Sequence, residues 1–268
     1  MLREKLAFMP ERAHVTLDCY INELGTSPRD AILVIPGGAY ACVCEDREGG
    51  PIALAYYLQG MNAFVLNYSV DKQISKFTDP LEEASRALIY IRKNAGKFNI
   101  NPEHVYVVGF SAGGHLAGWL GCDWDCEELK ALIPDKGELN RPTGAVLCYP
   151  VISARFENGA TFKYLWGKTE LTQGEKDRTS LEKRVSSAAS PMFIMQTFDD
   201  GLVDCRNALY MAEACADAGV VFEMHVYPFA PHGAALATDV TSRGFAPHEN
   251  ERLARWVGDS RAWMKEIG

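Results

Sequence analysis

The sequence predicts an α/β protein: a mostly parallel central sheet flanked by helices, in one domain over residues 1–268, with a small insertion at 153–190. Three observations carry this. Six strand-like apolar runs recur along the chain. Most are continuously apolar, as in strands covered on both faces. Helical patterns lie between them, and that alternation implies parallel neighbours joined by right-handed crossovers.

In chain order, "VTLDCYIN" near the start is expected to add an antiparallel edge strand. "AILVIP" (31–36) is the first core run, and "REGGPIALAYYLQG" follows it as a helix candidate. "NAFVLNY" (62–68) is the second run. "DPLEEASRALIYIRKNAG" then sets Leu81, Ala84, Leu88 and Ile91 on one helical stripe. Its Asp-Pro start reads as a cap plus first-turn proline, and Gly96 as its end. "VYVVGF" (105–110) precedes the helical "SAGGHLAGWLG". "GAVLCYPV" (144–151) is followed by a polar stretch, 153–190, with several short helical hints. This stretch interrupts the alternation and fits a small insertion over the strand ends better than a second domain. "PMFIMQTF" (191–198) and "VFEMHVYP" (221–228) are the last two runs, separated by the helical "LVDCRNALYMAEACADAG". "ENERLARWVGDSRAWMKEIG" closes the chain as a helix.

Composition narrows the function. Hydrophobic content of 47% and charged content of 23% are ordinary for a globular protein. A net charge of −8 disfavours nucleic acid, whose phosphates would be repelled. No stretch reaches transmembrane length and the start lacks a signal-like apolar run, so the expected location is the cytoplasm, with no membrane partner. The eight cysteines then read mostly as small buried hydrophobes. Cys122 and Cys126 are four apart but have no matching second cluster of Cys or His, so no metal is expected. The sequence leaves homo-oligomer formation open.

The chemistry concentrates in "VYVVGFSAGGHLAG". A phosphate-binding loop also joins a strand to a helix, but its Lys-Ser/Thr pair and wider glycine spacing are missing here. The alternative is a nucleophile elbow, G-x-S-x-G, lifting Ser111 on a tight turn where side chains at Gly109 and Gly113 would collide. A serine nucleophile needs a base and an orienting carboxylate, in the chain order Ser, Asp or Glu, His. His14 and His104 precede the serine. His115 lies on the same helix and reads as packing, and His225 lies inside a strand run. His232 in "FAPHGAAL" follows the last strand closely and is preferred over His248 at the start of the final helix. The acid comes from "QTFDDGLVD". Asp204 falls in the next helix pattern, while Asp199 and Asp200 share the loop and are not separated by spacing. An oxyanion hole needs N–H donors, and the "IPGGAY" turn (35–40) supplies Gly38 and Ala39, with Ala112 after the nucleophile.

Four blocks together resemble bacterial acetyl esterases of the α/β-hydrolase superfamily, the group related to acetyl-xylan esterases and the hormone-sensitive-lipase branch. They are "IPGGAYACVCEDREGGPIALAYYLQGMNAFVLNYSV", "DPLEEASRALIYIRKNAGKFNINPEHVYVVGFSAGGHLA", "SPMFIMQTFDDGLVD" and "VFEMHVYPFAPHGAALA". The resemblance covers most of residues 30–240. It implies Asp200 as the triad acid beside Ser111 and His232, and it places Gly37, Gly38, Ala39 and Tyr40 in the glycine-rich loop with its following aromatic. It further implies Arg47 and Glu48 as anchors of that loop. The chain departs from the family at Pro36 (His in the lipase branch), Ala39 (the third glycine), Gln196 (often His) and Asp204 (often Pro). These changes spare the triad and bear on substrate choice.

The expectation is a cofactor-free serine esterase acting on a small-molecule ester, with acetyl groups on carbohydrate as the implied substrate. Tyr40 is the expected substrate-binding aromatic, and Trp124 and Trp166 are further pocket candidates. The same machinery would also serve an arylformamidase or a peptidase, since fold and triad do not choose the leaving group. A noncatalytic binding module is the reading outside enzymes.

Overall fold

In the computed structural model, which describes residues 1–156 and 160–268, eight strands build one sheet. They are β1 (Leu2–Leu6), β2 (Thr16–Ile21), β3 (Arg29–Ile35), β4 (Asn62–Asn67), β5 (Ile100–Phe110), β6 (Ala145–Cys148), β7 (Met192–Thr197) and β8 (Phe222–Tyr227). Their spatial order is β1-β2-β4-β3-β5-β6-β7-β8. β2 runs antiparallel to both β1 and β4, and every pair from β4 to β8 is parallel. All six apolar runs became β3 to β8. The "VTLDCYIN" run is antiparallel as expected but is not the edge, because β1 lies outside it. β1 reads LREKL, three charges in five residues, and is mostly exposed. Charge of this kind is how an edge strand discourages pairing with a further chain, and it erases the apolar signature.

Continuous apolar runs arise because both sheet faces are covered. On β3, Leu33 and Ile35 pack into one core with the Asp79–Lys93, Ala112–Asp123 and Arg206–Asp217 helices. Ile32 and Val34 face the other core, built with the Gly50–Leu58 and Trp256–Ile267 helices. Each such fully buried aliphatic side chain contributes about 1.5–3 kcal/mol. The predicted stripe Leu81, Ala84, Leu88 and Ile91 is entirely buried. Asp79 does not cap its own helix. It is the first helical residue, and its Oδ2 instead accepts the Ser75 and Lys76 N–H groups at 2.7 and 2.9 Å, bracing the preceding turn.

The stretch 153–190, of which 157–159 lie outside the described residues, holds two short helices, Thr161–Trp166 and Gln173–Thr179, and a turn at Leu181–Lys183. Phe162 and Leu165 sink into the first core, and the Trp166 ring stacks on Phe77 with centroids 4.0 Å apart. Because β3, β5, β7 and β8 run parallel, the loops after them open at one end of the sheet, and there the site assembles.

Candidate active site

Ser111 joins β5 to the Ala112–Asp123 helix with φ 53° and ψ −116°. A non-glycine residue at positive φ is strained and persists only where its surroundings hold it. Here the Ser111 N–H donates to Cys148 O (3.0 Å), and its carbonyl accepts the N–H groups of His115 (3.0 Å) and Val151 (3.1 Å). The flanking glycines are sterically required. A Cβ on Gly109 would lie 2.1 Å from Gly113 O, and one on Gly113 would lie 2.2 Å from Ile35 O.

The loops after β7 and β8 bring the other two predicted residues to this serine. His232 Nε2 lies 2.8 Å from Ser111 Oγ, and His232 Nδ1 lies 2.7 Å from Asp200 Oδ2. An ionised carboxylate only accepts, so Nδ1 carries the proton and Nε2 accepts the serine hydroxyl. The second Asp200 oxygen accepts the Leu202 and Val203 N–H groups, each at 2.9 Å, which fixes the carboxylate. Asp199, its neighbour, points elsewhere and accepts the Ala230 N–H (2.9 Å), holding the histidine loop. Asp204 accepts the Arg206 N–H (2.9 Å) beside the start of the next helix. His248, the runner-up base, sits with Nε2 3.1 Å from His232 O and supports the backbone of the preferred one. Gln196, where the family often has His, is buried. It donates to Val203 O (3.1 Å) and accepts the Thr197 N–H (2.7 Å), so it braces the acid loop.

The loop after β3 passes beside the serine. Gly38 has φ 128°, and Ala39 and Tyr40 also take positive φ, at 56° and 58°. Glu48 Oε2 accepts the Gly37 N–H (2.8 Å), and Glu48 Oε1 accepts the Tyr149 hydroxyl (2.9 Å). The N–H groups of Gly38, Ala39 and Ala112 make no hydrogen bond among the described residues. Glu48 therefore anchors the loop. Arg47 does less of this, since its guanidinium is 3.8 Å from Glu48 Oε1 and donates to Cys44 Sγ at 3.5 Å.

A cavity of about 600 Å³ opens over Ser111 and His232, walled by Gly38, Ala39, Cys42, Cys44, Arg47, Glu48, Ala160, Thr161, Gly201, Leu202 and Val203. Tyr40 is not in that wall. It is 1% exposed, and its hydroxyl lies 2.8 Å from His115 Nδ1, so the expected substrate-binding aromatic is instead a packing residue behind the loop. Trp124 and Trp166 are absent from the wall too. The Trp124 Nε1–H donates to Ala188 O (3.1 Å) within the fold. His115 is fully buried between Tyr40 and Thr179 O (2.8 Å), and burial lowers its pKa to about 4. Cys44 faces the cavity as a protonated thiol, because burial first, and Glu48 next, push its pKa up to about 11.

Three supports escaped the sequence reading: Tyr149, the backbone roles of Asp199 and His248, and the Cys42–Cys44 wall. Tyr149 directly follows β6 within the "GAVLCYPV" run, donates to Glu48 and accepts the Ala235 N–H (3.1 Å). Burial, with Glu48 beside it, keeps its pKa well above the ordinary phenol value, so it remains a donor. Only its place at a strand end hints at such a role.

The BD-FAE family model matches residues 17–143. The chain is 39% identical over 225 residues to endo-1,4-beta-xylanase B of Butyrivibrio fibrisolvens, covering 82% of this chain and 35% of that protein. It is 29% identical over 244 residues to an acetylxylan esterase of Xylanibacter ruminicola, covering 88% of this chain and 45% of that one. It thus spans less than half the length of these curated relatives. Among solved structures, an acetyl ester-xyloside bifunctional hydrolase from Caldicellulosiruptor lactoaceticus is 33% identical, with a TM-score of 0.79 over 95% of this chain and 88% of that one. MGS-M1, an α/β hydrolase enzyme from a Medee basin deep-sea metagenome library, is 32% identical, with a TM-score of 0.80 over 100% of this chain and 98% of that one. With this likeness running over the whole length of the chain, it belongs to the α/β-hydrolase family.

Proposed function

We propose that this protein is a serine carboxylesterase that removes short acyl groups, acetyl above all, from carbohydrate-derived alcohols. The single observation that carries the reading is His232 spanning Ser111 Oγ and Asp200 at 2.8 and 2.7 Å on the floor of an open cavity. His232 takes the hydroxyl proton as Ser111 attacks the ester carbonyl, and Asp200 holds the imidazole and stabilises its charged form. The oxygen that becomes negative is met by the uncommitted N–H groups of Gly38, Ala39 and Ala112. The alcohol leaves with the proton from His232, and water hydrolyses the acyl-enzyme by the same route. Acetyl as the acyl group and carbohydrate as the alcohol rest on the similarity to an acetylxylan esterase and an acetyl ester-xyloside hydrolase. Cytoplasmic residence belongs to the same reading. Its support is Cys19, Cys122, Cys126, Cys148 and Cys215, which the fold uses as buried free thiols.

The test is p-nitrophenyl ester turnover. Ser111→Ala should lower kcat on the acetate by at least about 10⁴-fold. Equal rates for variant and wild type would favour the noncatalytic module instead. In a chain-length series the acetate should be the best substrate, and strong octanoate turnover would contradict that.

A further inference from the structure

A second cavity, of about 480 Å³, lies between the turn at Asp71–Gln73 and the Thr161–Trp166 helix with the residues flanking it. Its wall contains Asp71, Lys72, Ile74, Ala160, Lys163, Tyr164 and Lys168. Two observations tie it to the catalytic cavity. Ala160 belongs to both walls. The Asp71 N–H also donates to Tyr40 O at 2.7 Å, which pins the opposite wall to the loop carrying Gly38 and Ala39. An ester held with its carbonyl at Ser111 therefore has a ready-made neighbouring space for its alcohol portion, and the volume is within the range of ligand pockets.

The chemistry of that space is specific. Lys168 is ion-paired with Glu175. Lys72 and Lys163 form no ion pair among the described residues, and both are exposed. The side chain of Tyr164 is 39% exposed. An aromatic ring, two uncommitted ammonium groups and one carboxylate suit a sugar: a ring face to pack on, an acceptor for hydroxyls and a counter-charge for an acid. The excess of cations over Asp71 also stands out in a protein of net charge −8.

The geometry points to this cavity as the alcohol-side subsite of the esterase, with a preference for a carbohydrate bearing a carboxylate, that is, a uronate-containing acetylated oligosaccharide. The inference rests on the carbohydrate-ester reading above. Lys72 and Lys163 face the uronate, Tyr164 packs against the sugar ring, and Asp71 accepts hydroxyls.

The experiment measures Kd on Ser111→Ala protein, which holds the ester uncleaved. Two ligands are compared: an acetylated oligosaccharide carrying a uronate, and the same molecule with that acid as its carboxamide. The uronate should bind about tenfold more tightly at low salt, a gain of the size two near-surface charge contacts give. Raising ionic strength from ~20 mM to ~0.5 M should shrink that advantage. K72Q/K163Q should abolish it, and K72E/K163E should reverse it. Equal Kd values in the parent, or an advantage that survives both double variants, would overturn the proposal. Wild-type turnover of the carboxamide oligosaccharide is a separate readout. If p-nitrophenyl acetate is cleaved and that sugar ester is not, the carbohydrate reading fails, while the Kd comparison still decides the subsite.

Discussion

Glu48 is 1% exposed and has both carboxylate oxygens committed, one to the Gly37 N–H and one to the Tyr149 hydroxyl. It never reaches the serine, yet it sets where the neighbouring N–H groups point. Glu48→Ala leaves the Gly37 donor and the Tyr149 hydroxyl unmatched in the interior, and it frees the loop that carries Gly38 and Ala39. The expected result is a loss of about 10²-fold in kcat on p-nitrophenyl acetate, comparable to losing one oxyanion donor. Glu48→Gln keeps an acceptor for Gly37 and should retain most of that rate, and equal losses in the two variants would refute the anchoring role. His115 carries a prediction of another kind. Its pKa falls from about 6.5 unfolded to about 4 folded, so the folded state resists the proton that the unfolded chain accepts. Its stabilising contribution is complete above pH 6.5 and is lost as pH falls towards 4, about 3 kcal/mol in all. Urea unfolding of wild type and His115→Gln between pH 7 and 4 checks this: the variant should show the shallower dependence. Residue-level roles were the least legible from sequence. Spacing left Asp199 and Asp200 undecided, because adjacent turn residues aim apart. Family pattern chose Asp200, which lies against His232, while Asp199 holds Ala230.

At the level of elements, the turn from β5 into the Ala112–Asp123 helix leaves no room for a side chain at either flanking glycine. Gly113 packs beneath the end of β3, and a methyl there would meet the Ile35 and Pro36 carbonyl oxygens at 2.2 and 2.4 Å. Those are backbone atoms with no rotamer to yield. Gly113→Ala should therefore cost about 3 kcal/mol or more and push β3 away from β5, displacing the loop after β3. Gly114→Ala meets Pro150 Cβ and Cα at 2.9 and 3.0 Å and Gly109 O at 3.3 Å, all wider than the Gly113 contacts, and should be milder. Thermal unfolding of the two variants distinguishes them. Gly109 was legible in advance because its collision, with Gly113 O four residues on, is local, whereas Gly113 was legible only from the motif spacing, its own collision being with the distant end of β3. β1 was not, since LREKL makes its contacts only after β2 exists to receive it and buries too little to leave a pattern. Tyr40 misled for a related reason. Its place beside the glycines is readable, but the direction of its ring is decided by His115, 75 residues further on.

Across the whole molecule, the sheet was the most legible feature. Burial on both faces writes itself into the mostly unbroken apolar runs of the central strands, and parallel neighbours follow from the helices between them. The cavity walls were the least legible, because they are built from connectors whose arrangement no periodicity encodes. Ser111, Asp200 and His232 stand just past the ends of hydrogen-bonded strands, whereas Ala160 and Thr161 belong to the stretch 153–190, which contributes no strand to the sheet among the described residues. Replacement or a change of length in that stretch would therefore leave the Ser111–His232–Asp200 array in place while altering which molecules are admitted to it.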